Sequence, residues 1–343
     1  MMKKKAWSRW ILALAVVWPC MAVARDRVRE KENFDFDWKF ILNADDRANA
    51  GMQVSEAGWQ DVQLPHDWSI SQDFDPKLSG SNGHLPGGIG WYRKTFRVDK
   101  EDKGRRIAVL FDGIYSRSDV YVNGHHLGFR PYGFCYQEYN LTPYLNYGAE
   151  NVLAVRVNNP LEHDSVARWY TGAGIYRHAW LVKTAKVHVA SYGTYVTTPV
   201  VTAERAEVRV RTSVANEAER TKTLSVCQQI TDGEGRTVVQ SGKQPLQVAA
   251  GKTADTEHTL KIPRPQLWDT EHPYLYTLHT VVYDGRKLVD TYETVFGVRT
   301  CEFTPDRGFL LNGKPLKLKG FCLHQDDASL GTALPLRSME RKL

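Results

Sequence analysis

The chain has only five cysteines in 343 residues. No CxxC pair occurs, nor any Cys–His spacing of the zinc type, so a metal-stapled domain is excluded and Cys135, Cys227, Cys301 and Cys322 are expected to be buried thiols. No glycine-rich phosphate loop, low-complexity tract or internal repeat is present. A charge excess of one sign is also missing. Of the formal +6, four charges belong to Lys3, Lys4, Lys5 and Arg9 in an acid-free leader, which leaves +2. That balance gives no case for nucleic acid or an anionic membrane as partner.

Long apolar runs are confined to the start. Residues 1–24 combine a basic beginning, an apolar run from Trp10 to Trp18 and a small-residue site at Ala22-Val23-Ala24. This is the pattern of a secretory signal and is too short for a membrane span. Cys20 would suit a lipoprotein, but bulky Trp18 and rigid Pro19 precede it. Cleavage after Ala24 is therefore expected, placing the mature protein in the periplasm or outside the cell, with no membrane attachment.

Aromatics are abundant: 11% of the chain, with ten Trp and sixteen Tyr. They suit β-sheet packing first and sugar stacking second. From 25 to 185, short alternating segments such as WYRKTFRV, RIAVLFDGI, SDVYVNGHHLG and NVLAVRVNN are punctuated by Gly, Pro and Asn, which predicts a β-sandwich of jelly-roll type. From 186 to 300 a plainer alternation predicts an immunoglobulin-like sandwich without a Cys…Trp…Cys pin. There AEVRVRTSV is expected to pair with KTLSVCQQITD around the polar loop Asn216–Thr221.

From 301 the character changes. Phe309-Leu310-Leu311 lead into Asn312-Gly313, a two-residue hairpin signal. Leu316 to Leu323 is expected to be a strand, with His324, Gln325, Asp326 and Asp327 at its end and a helix from Pro335. A strand, a polar turn and a helix are how a (β/α) barrel opens, and barrel active sites lie at the strand C-termini. Residues from about Asp306 onward are expected to pack poorly or to lean on the second sandwich, because one strand has unpaired edges.

The order of LPHDWSI, GGIGWYRKTF, FDGIYSRSDVYVNGHHLG, RWYTGAGIYRHAWL, PQLWDTEHPYLYTL and the terminal FGVRTCEFTPDRGFLLNGKPLKLKGFCLHQDD resembles glycoside hydrolase family 2. This is the group of β-galactosidases, β-glucuronidases and β-mannosidases. The HDWS and RWYTGAGIYR forms are most similar to its secreted galactosidase-like members. The resemblance implies a mainly β chain made of a sugar-binding jelly roll, an immunoglobulin-like sandwich and the start of a (β/α)₈ barrel. It also implies a carbohydrate partner and a retaining reaction, in which one glutamic acid protonates the leaving oxygen and a second attacks the anomeric carbon, the two carboxyls being about 5–5.5 Å apart. Both lie on later barrel strands in the family. A barrel takes roughly 250 residues, and about 40 follow Cys301. No catalytic residue, cofactor or metal ligand is therefore assigned to this chain, and the chain alone is expected to be inactive.

Four positions carry the implied substrate contacts. His324 and Asp326 match the family segment after the first barrel strand, where they would bond sugar hydroxyls; holding their own loop together is the alternative. Arg168, counted back from GIYR, stands where some relatives carry an Asp, and offers either a sugar contact or a surface salt bridge. Asp67 would face the barrel mouth or form an Asx turn ahead of Trp68. Trp169 and Tyr170 are expected to pack between domains rather than to stack on sugar. Asn216-Glu217, the one Asn-Glu pair, is expected to be a solvated turn.

Overall fold

The computed structural model describes residues 28–42, 45–160 and 169–342, and the fold is mainly β. The leader, its cleavage site and Arg168 lie outside the described residues. Two antiparallel sheets build the first sandwich. One has six strands in the order Gln60–Val62, Trp38–Leu42, Gly88–Arg97, Glu150–Asn159, Ser118–Val122 and His125–Arg130. The facing sheet runs Glu30–Asn33, Ala179–Thr184, Arg106–Phe111 and Gln137–Asn140. Trp38, Tyr92, Ile107, Phe111 and Leu153 are fully buried between them.

Alternation weakens at the centre of this sandwich, and for a physical reason. The loop preceding Gln60 folds over the outer face of the six-stranded sheet, where Trp91, Tyr121 and Ala154 form a second small core with Ala50. Arg93 anchors that cover. Its fully buried guanidinium donates to the Glu56 carboxylate at 2.9 Å and to the carbonyls of Asn49 and Gly51 at 2.5 and 2.7 Å. Central strands buried on both faces read as continuous apolar runs.

The second sandwich sets Val187–Val201, Arg205–Asn216 and Lys252–Pro263 against a five-stranded sheet. That sheet is ordered Thr237–Gln240, Lys222–Thr231, Tyr276–Asp284, Lys287–Phe296, with Gln244–Val248 also on Lys222–Thr231. Arg205–Asn216 and Lys222–Thr231 are therefore not a hairpin. They lie in opposite sheets, and each finds antiparallel partners elsewhere. In place of a disulfide pin, Gln228 links the sheets, donating to Thr212 Oγ1 at 3.0 Å and accepting from Thr280 Oγ1 at 2.7 Å, all three fully buried. The four described cysteines form no disulfide, and against expectation only Cys227 is buried: Cys135 is half-buried and Cys301 and Cys322 are exposed.

Glu217 is exposed, as a solvated turn requires, but it also joins the sandwiches. Its carboxylate accepts from Arg106 Nε at 2.7 Å and from Asn140 Nδ2 at 3.0 Å, both in the first sandwich. Asn216, unlike Glu217, is buried and donates to the carbonyls of Arg220 and Val248.

The Asn312-Gly313 hairpin forms, with φ positive at both residues (51° and 75°), as a type I′ turn demands. Gly308–Leu311 and Lys314–Pro315 are its arms, and Cys301–Thr304 pairs with the other side of Gly308–Leu311. Asn312 locks it onto the second sandwich, donating to Trp268 O at 3.0 Å and accepting from Thr300 N. The expected strand from Leu316 to Leu323 does not form; only Lys314–Pro315 pairs, and Leu318 and Phe321 stay exposed. With no neighbouring strand to satisfy its backbone, an apolar segment gains nothing by becoming one. The helix is present as Leu336–Lys342. Between them the chain leans on the first sandwich, not only on the second, through Gly331 and Thr332.

Two histidines, His66 partly and His188 fully buried, make acid stability predictable. His66, whose Nδ1 lies 2.8 Å from Tyr92 Oη, is lowered by burial to about 4. His188 is lowered to about 3, by burial and then by the nearby Arg106 and Arg29 cations. Both folded values lie below the unfolded one, so their contribution is complete above pH 6.5 and is lost as pH falls toward 4 and 3. Between pH 6.5 and 5 each should remove up to about 2 kcal/mol. Urea midpoints at pH 7 and pH 5 check this, and a His188→Gln variant should show the smaller drop.

Candidate functional site

One end of the first sandwich gathers three loops. Residues 112–117 follow the strand Arg106–Phe111, residues 131–136 join two edge strands, and residues 169–178 return to Ala179–Thr184. Backbone bonds tie them together. Tyr115 and Gly174 exchange two N–H···O bonds of 2.8 Å, and Tyr176 Oη donates to Gly133 O at 3.0 Å. Gly133 must be glycine here, because a Cβ would sit 2.5 Å from the Tyr115 ring.

The loops enclose a cleft of about 620 Å³ floored by aromatic rings. Phe134 is at the centre, with ring centroids 5.0 Å from Tyr115, 5.8 Å from Tyr132 and 6.4 Å from Trp169. The fourth wall comes from the C-terminal segment, where His324 stacks on Trp169 at 5.5 Å with the planes 14° apart. Ser116, Arg117 and Gln325 supply polar edges. Flat apolar faces with a few donors and acceptors at the rim suit a pyranose, whose C–H face packs on rings while its hydroxyls reach outward. Among the described lining residues none is a carboxylate. The cleft can hold and orient, but its described lining offers no carboxylate pair for a glycosidic bond.

The four expected contact residues separate. His324 lines the cleft. Asp326 is not among the lining residues: its carbonyl accepts from Lys342 Nζ at 2.5 Å, and it lies near Tyr170. Asp67 is also not among the lining residues and is 4% exposed. Arg168 falls outside the described residues.

Asp67 is a structural knot. One carboxylate oxygen accepts from Ser69 N and Ala173 N, both at 3.0 Å. The other accepts from Tyr170 Oη at 2.8 Å, Thr332 N at 2.9 Å and Thr332 Oγ1 at 3.1 Å. The Asx turn is real, but it uses only one of five bonds. Gly172 and Gly331, at φ 63° and 59°, bring the backbone against it; a Cβ on either would lie 2.3 or 2.2 Å from Oδ2. Burial, then the Asp67 charge, push the Tyr170 hydroxyl far above its ordinary range, so it stays a donor. Tyr170 thus packs between segments, as expected, while Trp169 belongs to the cleft wall. Tyr115, Tyr132 and Phe134 were missed by sequence reasoning, although RPYGFCY (130–136) is dense enough in rings to have marked them.

Residues 33–185 match the sequence profile described as glycosyl hydrolases family 2, sugar binding domain, and residues 187–299 match glycosyl hydrolases family 2. The chain belongs to this family. Within it, a β-galactosidase of Bacteroides ovatus is 43% identical over 323 residues, and a β-glucuronidase of Formosa agariphila is 34% identical over 346. Each match covers 92% of this chain, but the chain spans only 37% and 34% of those relatives. Among solved structures, a family 2 member from Bacteroides cellulosilyticus superposes with a TM-score of 0.83 at 39% identity, covering 91% of this chain and 42% of that one. A family 2 β-glucuronidase superposes at 0.85 with 32% identity, covering 93% and 36%. The family 2 sugar binding domain is the unit that carries the aromatic cleft.

Proposed function

We propose that this chain is the substrate-framing part of an exported, retaining exo-β-glycosidase that removes terminal sugars from oligosaccharides or glycans, β-galactosides first. The observation that carries this is the ring-floored cleft in the segment matched to a sugar binding domain. Its similarity to a β-galactosidase supports the choice of sugar, and the leader pattern before Arg25 supports export. In this reading, His324 contacts a sugar hydroxyl from the cleft wall and Trp169 holds the stacked geometry. Asp67 acts indirectly, by fixing the wall to the floor. The two carboxyls of a retaining reaction must stand about 5–5.5 Å apart, and no such pair is among the described lining residues.

Two measurements test the proposal. The purified 343-residue chain should leave an aryl β-galactoside unhydrolysed; turnover above background would mean the catalytic pair lies within it. The reading frame beyond codon 343 should encode further βα units with an Asn-Glu pair and a second glutamate. A frame without them would overturn the hydrolase reading. The cleft would then favour the alternative, a carbohydrate-binding protein without catalysis, because rings alone suffice to bind.

A further inference from the structure

The strand Val187–Val201 loses register between Val189 and Thr194, and inside that bulge Tyr192 adopts a left-handed backbone with φ 53°. A bulky L residue is strained there, and glycine would relieve it. The bulge is also tightly built: a Cβ on Gly193 would approach Ala190 O to 2.7 Å and Ser213 O to 2.9 Å, and Tyr192 N donates to Tyr292 Oη at 3.1 Å. What the strain achieves is presentation. The Tyr192 ring is 60% exposed and lies 4.6 Å, centroid to centroid, from Tyr136 of the first sandwich, itself 47% exposed. Rings serving only as a brace would gain more by burial, and bulges commonly re-aim a side chain beside a functional site.

Tyr136 ends the same loop whose Tyr132 and Phe134 floor the cleft, so the Cα atoms of Tyr132 and Tyr136 are at most about 14 Å apart. Arg177 lies close enough to influence both the Tyr176 hydroxyl and the Tyr192 hydroxyl, and Asp112 is also near Tyr192. One cation and one anion beside exposed rings suit groups that both donate and accept, which favours a neutral saccharide over a polyanion.

We propose that Tyr136 and Tyr192 form a second aromatic platform for the same saccharide, engaging units remote from the one held in the cleft. The ligand is then a neutral oligosaccharide several units long rather than a disaccharide. This rests on the sugar-binding reading of the cleft.

Calorimetric titration of the 343-residue chain with β-linked galactobiose and with galactohexaose tests it. The hexaose should bind about tenfold more tightly. Tyr192→Ala should abolish that advantage and leave galactobiose affinity unchanged, Tyr192→Phe should retain it, and Trp169→Ala should weaken both sugars. If galactobiose binds but the hexaose has no advantage, or keeps it in Tyr192→Ala, the platform is overturned and the cleft stands. If neither sugar binds, both are overturned. A Tyr192→Ala variant with a lowered thermal midpoint and an unchanged hexaose-to-biose ratio would make the pair a brace, and the platform would fall.

Discussion

Replacing Asp67 by alanine should destabilise the protein by about 3–5 kcal/mol, the largest loss expected from any single site described above. The carboxylate collects five hydrogen bonds from Ser69, Ala173, Tyr170 and Thr332. Three of the donors are backbone amides. None could turn away to find another partner, and water has little access to a residue 4% exposed. Asparagine keeps the volume but puts an N–H₂ against donors on one side, so Asp67→Asn should recover only part of the loss. Tyr170→Phe removes one donor while the carboxylate keeps four, and should cost about 1 kcal/mol. Denaturant titration measures each value. Hydrogen exchange separates global from local effects: in Asp67→Ala the amides of Gly331 and Thr332 should lose protection first, because that segment's remaining hydrogen bonds are short-range, to Asp327 and Leu334. Unchanged protection there would show that the C-terminal segment is held by something other than Asp67.

Arg29→Ala should cost about 3 kcal/mol at neutral pH, through the carboxylate it leaves behind. Asp290 is fully buried in the second sandwich. Arg29, just ahead of the first strand, reaches it with Nε at 3.0 Å and a terminal nitrogen at 2.7 Å, and the same nitrogen donates to Val189 O at 2.7 Å. The guanidinium also lies 4.9 Å over the Tyr292 ring. Burial outweighs this attraction and holds the Asp290 carboxyl above the usual carboxylate range. Its folded value exceeds its unfolded one, so the folded state binds that proton more readily, and the penalty of the ionised form relaxes as pH falls. Without Arg29 only the Val189 and Thr291 backbone amides oppose the upward push. The deficit of Arg29→Ala should therefore be largest at neutral pH and shrink on acidification, opposite in sign to the histidine effect. An Asp290→Asn change in the same background should restore stability at pH 7, since no charge is then stranded. Urea midpoints of the three proteins at pH 7 and pH 5 decide this; a deficit independent of pH would show that Arg29 acts by packing alone.

The sequence readings that succeeded were local ones. Asn312-Gly313 marked its turn because only residues tolerating positive φ fit a type I′ hairpin. The strands of both sandwiches were legible because a half-buried strand alternates with period two. Alternation tells which face a residue points to, but not which strand lies alongside. That is why Arg205–Asn216 was given the wrong neighbour, although both strands were correctly seen. The apolar stretch Leu316–Leu323 misled for a related reason: strand propensity has no effect without a partner to complete the ladder.

The site divides along the same line. Order and spacing of motifs were enough to establish mainly β architecture and the family, both properties carried by short segments. The bond from Thr332 to Asp67 spans 265 residues and that from Arg29 to Asp290 spans 261. No periodicity or propensity links positions so far apart, because only chain folding brings them within bonding distance. Tertiary structure alone made Asp67 a knot instead of a sugar contact, left Asp326 out of the cleft lining, and drew Tyr115, Tyr132, Phe134 and Trp169 into one cleft. A residue's chemistry is written in its type, whereas its role depends on which groups surround it and how much water they exclude.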